Sequence, residues 1–353
     1  MKIAILGDTH FGMRGDSIAF HNHYRDFYRA VFFPYLKEHN INTVWQLGDL
    51  FDRRKYISFQ SLALCRRYFF DIMRDEGIEF NALIGNHDIT FKNTLEVNSP
   101  ELLLQEYENV SLFNEPGEYF GIDIIPWICK DNEQEIMEFI KNSTNQLCFG
   151  HFELAGFEMD RGNICHEGMD PKLLQKYDMV LSGHFHHKSN SGNIVYVGTP
   201  GEMTWSDYND ERGFHILDTE TRELTFIKNP NNMFYKIRYH NDQLIWAQGS
   251  SFFDKDYSYL AGKYVKIVVE KRGNGFFLDT MLDQITKAGP IECSVVEDYS
   301  DIINDVEIDV DQAEDTITIL NKYVDGLTLP VESDKIKNVL RDVYNEAISM
   351  ETT

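Results

Sequence analysis

Cysteine is scarce and scattered in this 353-residue chain. Cys65, Cys129, Cys148, Cys165 and Cys293 are odd in number and form no CxxC pair, which excludes a disulfide framework and a zinc knuckle. Reduced thiols in a cytoplasm are the simplest reading. Long apolar runs are missing as well: nothing approaches the roughly 18 residues that a membrane helix needs, so no membrane association is expected. Met1 leads straight into the strand-like Lys2 to Leu6 and the chain turns polar at Gly7, without the charged start and cleavage site of a signal peptide. Positive charge is short too. Lys and Arg number 33 against 57 Asp and Glu, a formal charge of -24, so wholesale adhesion to a polyanion is unfavourable and any phosphate substrate must be held locally. Screening limits that repulsion to about 8 Å and leaves room for a locally positive site.

What is present is a globular composition, with 42% hydrophobic and 25% charged residues and enough Phe and Tyr for a sizeable core, which excludes a disordered chain. At roughly 150 residues per domain the length predicts two domains, the first larger. Up to about Asn229 short apolar runs alternate with helical periodicity, the pattern of an α/β layer architecture. Lys2 to Leu6, Thr43 to Leu47, Phe80 to Ile84, Gln146 to Phe149 and Met179 to Leu181 read as strands buried on both faces. His21 to His39 and Phe59 to Asp75 read as helices, with Gly77 placed to stop the second. Tyr119 to Trp127, Asn193 to Val197, Gly213 to Asp218 and Glu223 to Lys228 alternate like antiparallel strands and predict a second sheet packed beside the first.

Asn229-Pro230-Asn231-Asn232 is a turn-rich break and marks the expected boundary. Beyond it, Tyr264 to Glu270 and Glu292 to Val296 read as strands and Phe277 to Ala288 as a helix, a small mixed unit. The expected division is therefore 1–229, 230–300 and 301–353. Between Glu292 and Glu332 twelve acidic residues face the single base Lys322, which reads as a solvated tether. Ile336, Val339, Leu340, Val343, Tyr344 and Ala347 then form one helical stripe, and Ala313, Ile317, Leu320 and Val324 another. Those stripes pack either on their own domain or on another protein.

Five strings fall at or just beyond strand ends, where open α/β sheets place ligands. They are Gly7-Asp8-Thr9-His10, Gly48-Asp49-Leu50-Phe51-Asp52, Gly85-Asn86-His87-Asp88, Gly150-His151 and Gly183-His184-Phe185-His186. Each has a glycine before its first polar residue, which lets the backbone turn out of the sheet. One such string is weak evidence, since a lone strand-end His is usually structural. Five in series are not, because buried polar groups cost free energy unless paired. The candidate ligands are Asp8, His10, Asp49, Asn86, His151, His184 and His186. Oxygen and imidazole donors without thiolate suit Mn²⁺, Fe²⁺, Zn²⁺ or Mg²⁺ and exclude an iron-sulfur cluster. Seven ligands are too many for one ion, and a carboxylate can bridge two ions held roughly 3.5 to 4 Å apart.

The ordered series D-x-H, G-D, G-N-H-D, G-H and G-H-x-H resembles the signature of calcineurin-like metallophosphoesterases over about the first two hundred residues. That resemblance implies a sandwich of two mixed sheets flanked by helices, with a small α+β capping domain and C-terminal helices. It also implies that Asp8, His10 and His186 hold one metal, that Asn86, His151 and His184 hold the other, and that Asp49 bridges. His87 is then the catalytic histidine, protonating the leaving alkoxide, with Asp88 orienting its ring. The attacking group is water activated at the metals, so no phosphorylated enzyme is expected.

Ile5-Leu6-Gly7-Asp8-Thr9-His10-Phe11-Gly12, Gly48-Asp49-Leu50-Phe51-Asp52 and Gly198-Thr199-Pro200-Gly201-Glu202 are most similar to the SbcD family, nuclease subunits of recombination and repair complexes that include T-even phage members. The protein phosphatase branch fits less well, since Phe51, Arg54 and Asp88 depart from its motifs. The SbcD resemblance implies manganese-stimulated cleavage of DNA, with magnesium as the alternative metal, acting as an exonuclease on duplex ends and an endonuclease on single strands. It further implies a homodimer, an SMC-like coiled-coil ATPase bound by the C-terminal helices, and, for a phage-encoded chain, the host cytoplasm. Arg53-Arg54-Lys55, Arg66-Arg67 and Lys271-Arg272 are the evident basic clusters, each read first as solvated surface charge. Two rivals stand beside this reading: a phosphodiesterase or phosphatase acting on nucleotides or proteins, and an inactive scaffold, which would have no reason to keep a complete ligand set.

Overall fold

The computed structural model describes residues 1–160, 163–240, 255–271, 273, 275–297 and Lys337. Its first sheet runs in the order Leu224–Lys228, Gly213–Asp218, Lys2–Leu6, Thr43–Gln46, Glu79–Leu83, Val110–Phe113. The second runs Ser189–Ser191, Ile194–Tyr196, Met179–Gly183, Leu147–His151, Ile122–Ile125, Gly117–Tyr119. In both, the central strands are parallel and an antiparallel strand closes the edge.

The sheets lie face to face, and side-chain alternation along each strand explains the composition of their cores. Ile3, Ile5, Trp45, Leu47 and Leu83 from the first sheet meet Ile122, Ile124, Leu147, Phe149 and Leu181 from the second. The opposite face of the first sheet, with Ala4, Leu6, Val44 and Phe80, is covered by two long helices. The far side of the second, with Cys148, Val180 and Tyr196, takes Ile136 and Ile140 from the helix Glu133–Asn142. Central strands are thus apolar on both faces, which is why they read as unbroken runs.

Each of the two long helices carries one π-helical turn. The first passes from Ile18–Phe27 through Tyr28–Phe32 to Phe33–Glu38, and the second from Phe59–Cys65 through Arg66–Phe70 to Asp71–Asp75. The turns face one another, with the Tyr28 and Phe69 rings 4.6 Å apart. The extra residue in each turn places Tyr28, Phe32, Phe69 and Phe70 together in the core. Gly77, with φ of +67°, ends the second helix as expected.

Two expectations need correction. The alternating segments do not form a sheet of their own: Gly213–Asp218 and Leu224–Lys228 extend the first sheet, whereas Leu147–His151 and Met179–Gly183 are at the centre of the second. Of these strands only Leu224–Lys228 is a half-exposed edge, while Gly213–Asp218 and Ile122–Ile125 are buried between neighbours, so residue alternation does not report which sheet a strand joins. Tyr119 to Trp127 is also not one strand, because Phe120 and Gly121 take positive φ values of 49° and 78° and fold it into a hairpin.

After Asn229 a small unit follows in which Phe234–His240, Tyr264–Lys271 and Glu292–Glu297 pair in parallel. The helix Gly275–Ala288 lays Leu278, Met281 and Ile285 on Val265, Ile267 and Val269. The junction is stitched to the larger unit: the buried Glu202 carboxylate accepts the N–H groups of Met233 and Phe234 at 2.6 and 3.0 Å, and Asn229 donates to the Pro200 carbonyl at 2.9 Å. The acidic run begins inside this sheet, in Glu292–Glu297, rather than as a tether. The remainder of that run and both C-terminal stripes lie outside the described residues. No helix among the described residues is long and apolar enough to cross a membrane.

Candidate metal centre

The five glycine-led strings meet at one point. Three leave the carboxyl ends of Lys2–Leu6, Thr43–Gln46 and Glu79–Leu83 in the first sheet, and two come from Leu147–His151 and Met179–Gly183 in the second. The centre therefore sits on the crest where the two sheets converge. The glycines make room there more than they turn the chain. A Cβ on Gly85 would fall 2.2 Å from both the backbone nitrogen and Oδ1 of Asp49, and one on Gly183 would fall 2.3 Å from the Leu47 carbonyl and 2.6 Å from Asp8 Oδ1. Of the five, only Gly48 has a positive φ, +94°. The left-handed backbone falls instead on ligand candidates themselves, at His10 (φ 44°), Asp49 (56°) and His184 (87°), a conformation that costs non-glycine residues about 1–3 kcal/mol each and concentrates at functional sites.

Two ligand groups result. Asp8, His10 and His186 bring one donor atom each within 4.8 Å of one another, and so do Asp49, His151 and His184. Asn86 joins the second group, its Oδ1 lying 3.0 Å from His151 Nε2 and 2.9 Å from His184 Nδ1. Asp49 faces both: Oδ1 is 3.5 Å from His151 Nε2 and Oδ2 is 3.8 Å from His10 Nε2. Backbone contacts aim the donors. The Leu47 carbonyl takes His151 Nδ1 at 2.6 Å, which turns Nε2 toward the centre, and the His184 N–H donates to the Asp8 carboxylate at 3.0 Å. Carbonyl orientation of a ligating imidazole is the usual support around a bound metal. Nε2 of His10 and Nε2 of His186 approach to 3.1 Å. Two nitrogen-and-oxygen donor sets sharing one carboxylate fit a pair of divalent cations.

A profile of calcineurin-like phosphoesterases matches residues 1–188, more than half of the chain. The chain belongs to this family. It is 33% identical over 341 residues, 95% of each chain, to Exonuclease subunit 1 of Enterobacteria phage T4. It is 21% identical over 393 residues to a subunit of the SbcCD nuclease of Staphylococcus epidermidis, covering 96% of this chain and 98% of that one. A solved archaeal phosphodiesterase aligns over 65% of this chain and 99% of its own at 17% identity, with a TM-score of 0.33, too low to carry an argument.

The charges of the phosphoesterase centre are set by burial and by each other. Burial pushes Asp8 up to about 7, with Asp49 adding to the rise. Burial acts on Asp49 in the same direction, but the charge and hydrogen bond of His151 and the charge of His10 outweigh it and hold the carboxyl well below its ordinary range. Burial would lower His151, yet Asp49 and Asp8 raise it to about 9. Burial holds His184 down to about 3 and lowers His10 and His186. Cations entering here displace protons from Asp8 and His151.

His87 lies beside these ligands, half-buried, its ring edge-on to His10 at 4.8 Å and its N–H donating to Asp49 Oδ1 at 2.7 Å. Asp88 does not orient it. The His87 Nδ1 contact is the Asp52 carbonyl at 2.7 Å, while the fully buried Asp88 carboxylate accepts the N–H groups of Leu50, Phe51 and Gly85 at 3.2, 3.0 and 2.9 Å. Neighbours in a turn point in different directions, so Asp88 braces the two loops that carry Asp49 and Asn86. Burial and the Asp49 charge raise its carboxyl to about 7 even so.

Three supports were given no role by the sequence. Trp127 packs against His184 and His151 at ring distances of 5.0 and 5.9 Å. The Asp52 carboxylate lies 3.5 Å from His10 Nδ1. Arg212, 4% exposed, donates to the His186 carbonyl and to Thr199 Oγ1 and pairs with Asp207 and Asp210 at 2.8 and 2.7 Å. Asp52 and Thr199 each stand within a motif string, Gly48-Asp49-Leu50-Phe51-Asp52 and Gly198-Thr199-Pro200-Gly201-Glu202, whereas Arg212 stands in none.

Two outcomes follow from this arrangement. Protonated Asp8 and His151 compete with cations, so affinity for a divalent ion rises as pH climbs from 6 toward 9 and binding at pH 7.5 releases protons. Calorimetry in buffers of different ionisation enthalpy reads this directly; binding with no net proton release would contradict it. Asp88→Ala leaves three buried N–H groups without an acceptor and costs at least about 3 kcal/mol in urea unfolding. Unchanged stability would contradict the bracing role.

Proposed function

We propose that this phosphoesterase is the nuclease subunit of a recombination and repair complex, cleaving DNA phosphodiesters with two manganese ions held by Asp8, His10 and His186 on one side, Asn86, His151 and His184 on the other, and Asp49 between. The observation that carries the reading is the full-length likeness to Exonuclease subunit 1 of phage T4, joined to a complete pair of ligand groups. Bound cations supply charge neutralisation at the phosphoryl oxygens and acidify water at the centre. The rest falls to side chains of this chain. His87, its Nδ1 proton held by the Asp52 carbonyl, presents its other ring nitrogen as the group that protonates the departing oxygen. Asp88 keeps the loops bearing Asp49 and Asn86 in register.

In the division of labour, residues 1–229 carry the chemistry, 230–300 position the DNA, and 301–353 engage an SMC-like coiled-coil ATPase through the apolar residues Ile336, Val339, Leu340 and Val343. The complex works in a host cytoplasm. A homodimer is supported by an exposed apolar surface: Phe59 is 90% and Leu102 66% exposed, beside Tyr56, around a cavity of about 240 Å³.

End-labelled duplex and single-stranded DNA incubated with Mn²⁺ test the reading. The wild-type chain degrades both, and His87→Ala and Asp49→Ala each lose at least about 100-fold in rate, the range expected for removal of a proton donor or a metal bridge. A freshly metallated wild-type chain that leaves DNA intact while hydrolysing small nucleotide diesters would replace it with a small-molecule phosphodiesterase.

A further inference from the structure

We propose that Lys236 and Lys266 form a paired phosphate contact that seats successive phosphates of one DNA strand, a proposal that rests on the nuclease reading above. The two lysines are direct partners in the register of the small parallel sheet. Adjacent strands lie about 4.8 Å apart, and like charges placed directly opposite destabilise a sheet. Their neighbours Tyr235, Ile237, Val265 and Ile267 enter the core under the helix Gly275–Ala288. Alternation therefore turns both lysines to the other face. The row continues at Ser294, a hydroxyl rather than an acid.

Neither ammonium is neutralised among the described residues. Among the described residues Lys236 and Lys266 form no ion pair, in a chain that has 57 Asp and Glu to offer, whereas Arg238 on the same strand pairs with Glu270 at 2.5 Å. Each is seated on an aromatic ring instead: Lys266 Nζ lies 4.3 Å from the Trp205 ring centre and Lys236 Nζ 4.6 Å from that of Tyr208. A ring face fixes a lysine without quenching its charge and leaves ammonium donors to share. Two fixed, unquenched point charges in one row suit phosphate oxygens.

Both rings belong to one turn, and that turn is tied to the metal centre. Asp207 lies between Trp205 and Tyr208, accepts the Met203 and Thr204 N–H groups at 2.7 and 2.9 Å, and pairs with Arg212. Arg212 in turn holds the carbonyl of the ligand His186. A strand seated on the lysine pair is thereby positioned relative to His186 through buried, bonded groups. No sequence pattern announces the pair, since the lysines are 30 residues apart and neither belongs to a basic cluster.

The test is DNA affinity as a function of salt, measured on the full chain as wild type, as Lys236→Gln/Lys266→Gln and as Lys141→Gln/Lys172→Gln, two exposed lysines elsewhere. Each phosphate contact contributes about 0.9 to the slope of log affinity against log salt on duplex DNA. The paired variant is expected to lose about 1.8 from that slope and roughly tenfold in affinity at low salt. The control variant should keep the wild-type slope. A wild-type slope in the paired variant, or an equal loss in the control, overturns the proposal alone. A wild-type chain that does not bind DNA sinks the nuclease reading beneath it.

Discussion

One carboxylate, that of Asp49, sets the terms for the active end of this fold. It must face His151 with one oxygen and His10 with the other, although those residues come from different sheets. That requirement brings five strand ends to a single crest, and the close approaches follow. No Cβ fits at Gly85 or Gly183, and His10, Asp49 and His184 are held in left-handed backbone. Local hydrogen bonds offset the strain: the Thr9 and His10 N–H groups both donate to the Asp49 carbonyl at 3.1 Å, and Asp88 collects three more donors from the neighbouring loops. The site is rigid because its ligands are also its structural cross-links.

The centre was legible in the sequence because each string couples a glycine to a polar residue at the end of an apolar run, and both halves of that pattern have a physical cause. The bare presence of glycine was informative, but its reason was not. Torsional freedom is required at Gly48, whereas Gly85 and Gly183 are required for space, which only the packed loops reveal. Sheet membership was also hidden, since Gly213–Asp218 and Ile122–Ile125 carry the same kind of alternation and are buried in different sheets. Asp88 shows the limit most clearly. The family resemblance gave Asp88 the task of orienting His87, yet its carboxylate turns to backbone donors from two loops. Arg212, 26 residues beyond His186 and outside any motif, could not have been found without the fold.

Charge is distributed to match. An excess of acid keeps the surface repulsive to polyanions, while the centre has the donors to collect cations and the small sheet presents lysines that aromatic rings hold in place. Specific phosphate contacts can then act without general adhesion. The same distribution explains why basic clusters in the sequence were poor guides: Arg53, within one of them, is committed to Asp16 and Tyr56.

The proposed sharing of Asp49 between two cation sites is the point on which the account turns, and metal stoichiometry tests it most directly. Native mass spectrometry of the manganese-loaded chain should find two ions in the wild type and one or none in Asp49→Asn, with the variant still folded. A wild-type chain that saturates with one ion, or a variant that keeps two at undiminished affinity, would contradict it.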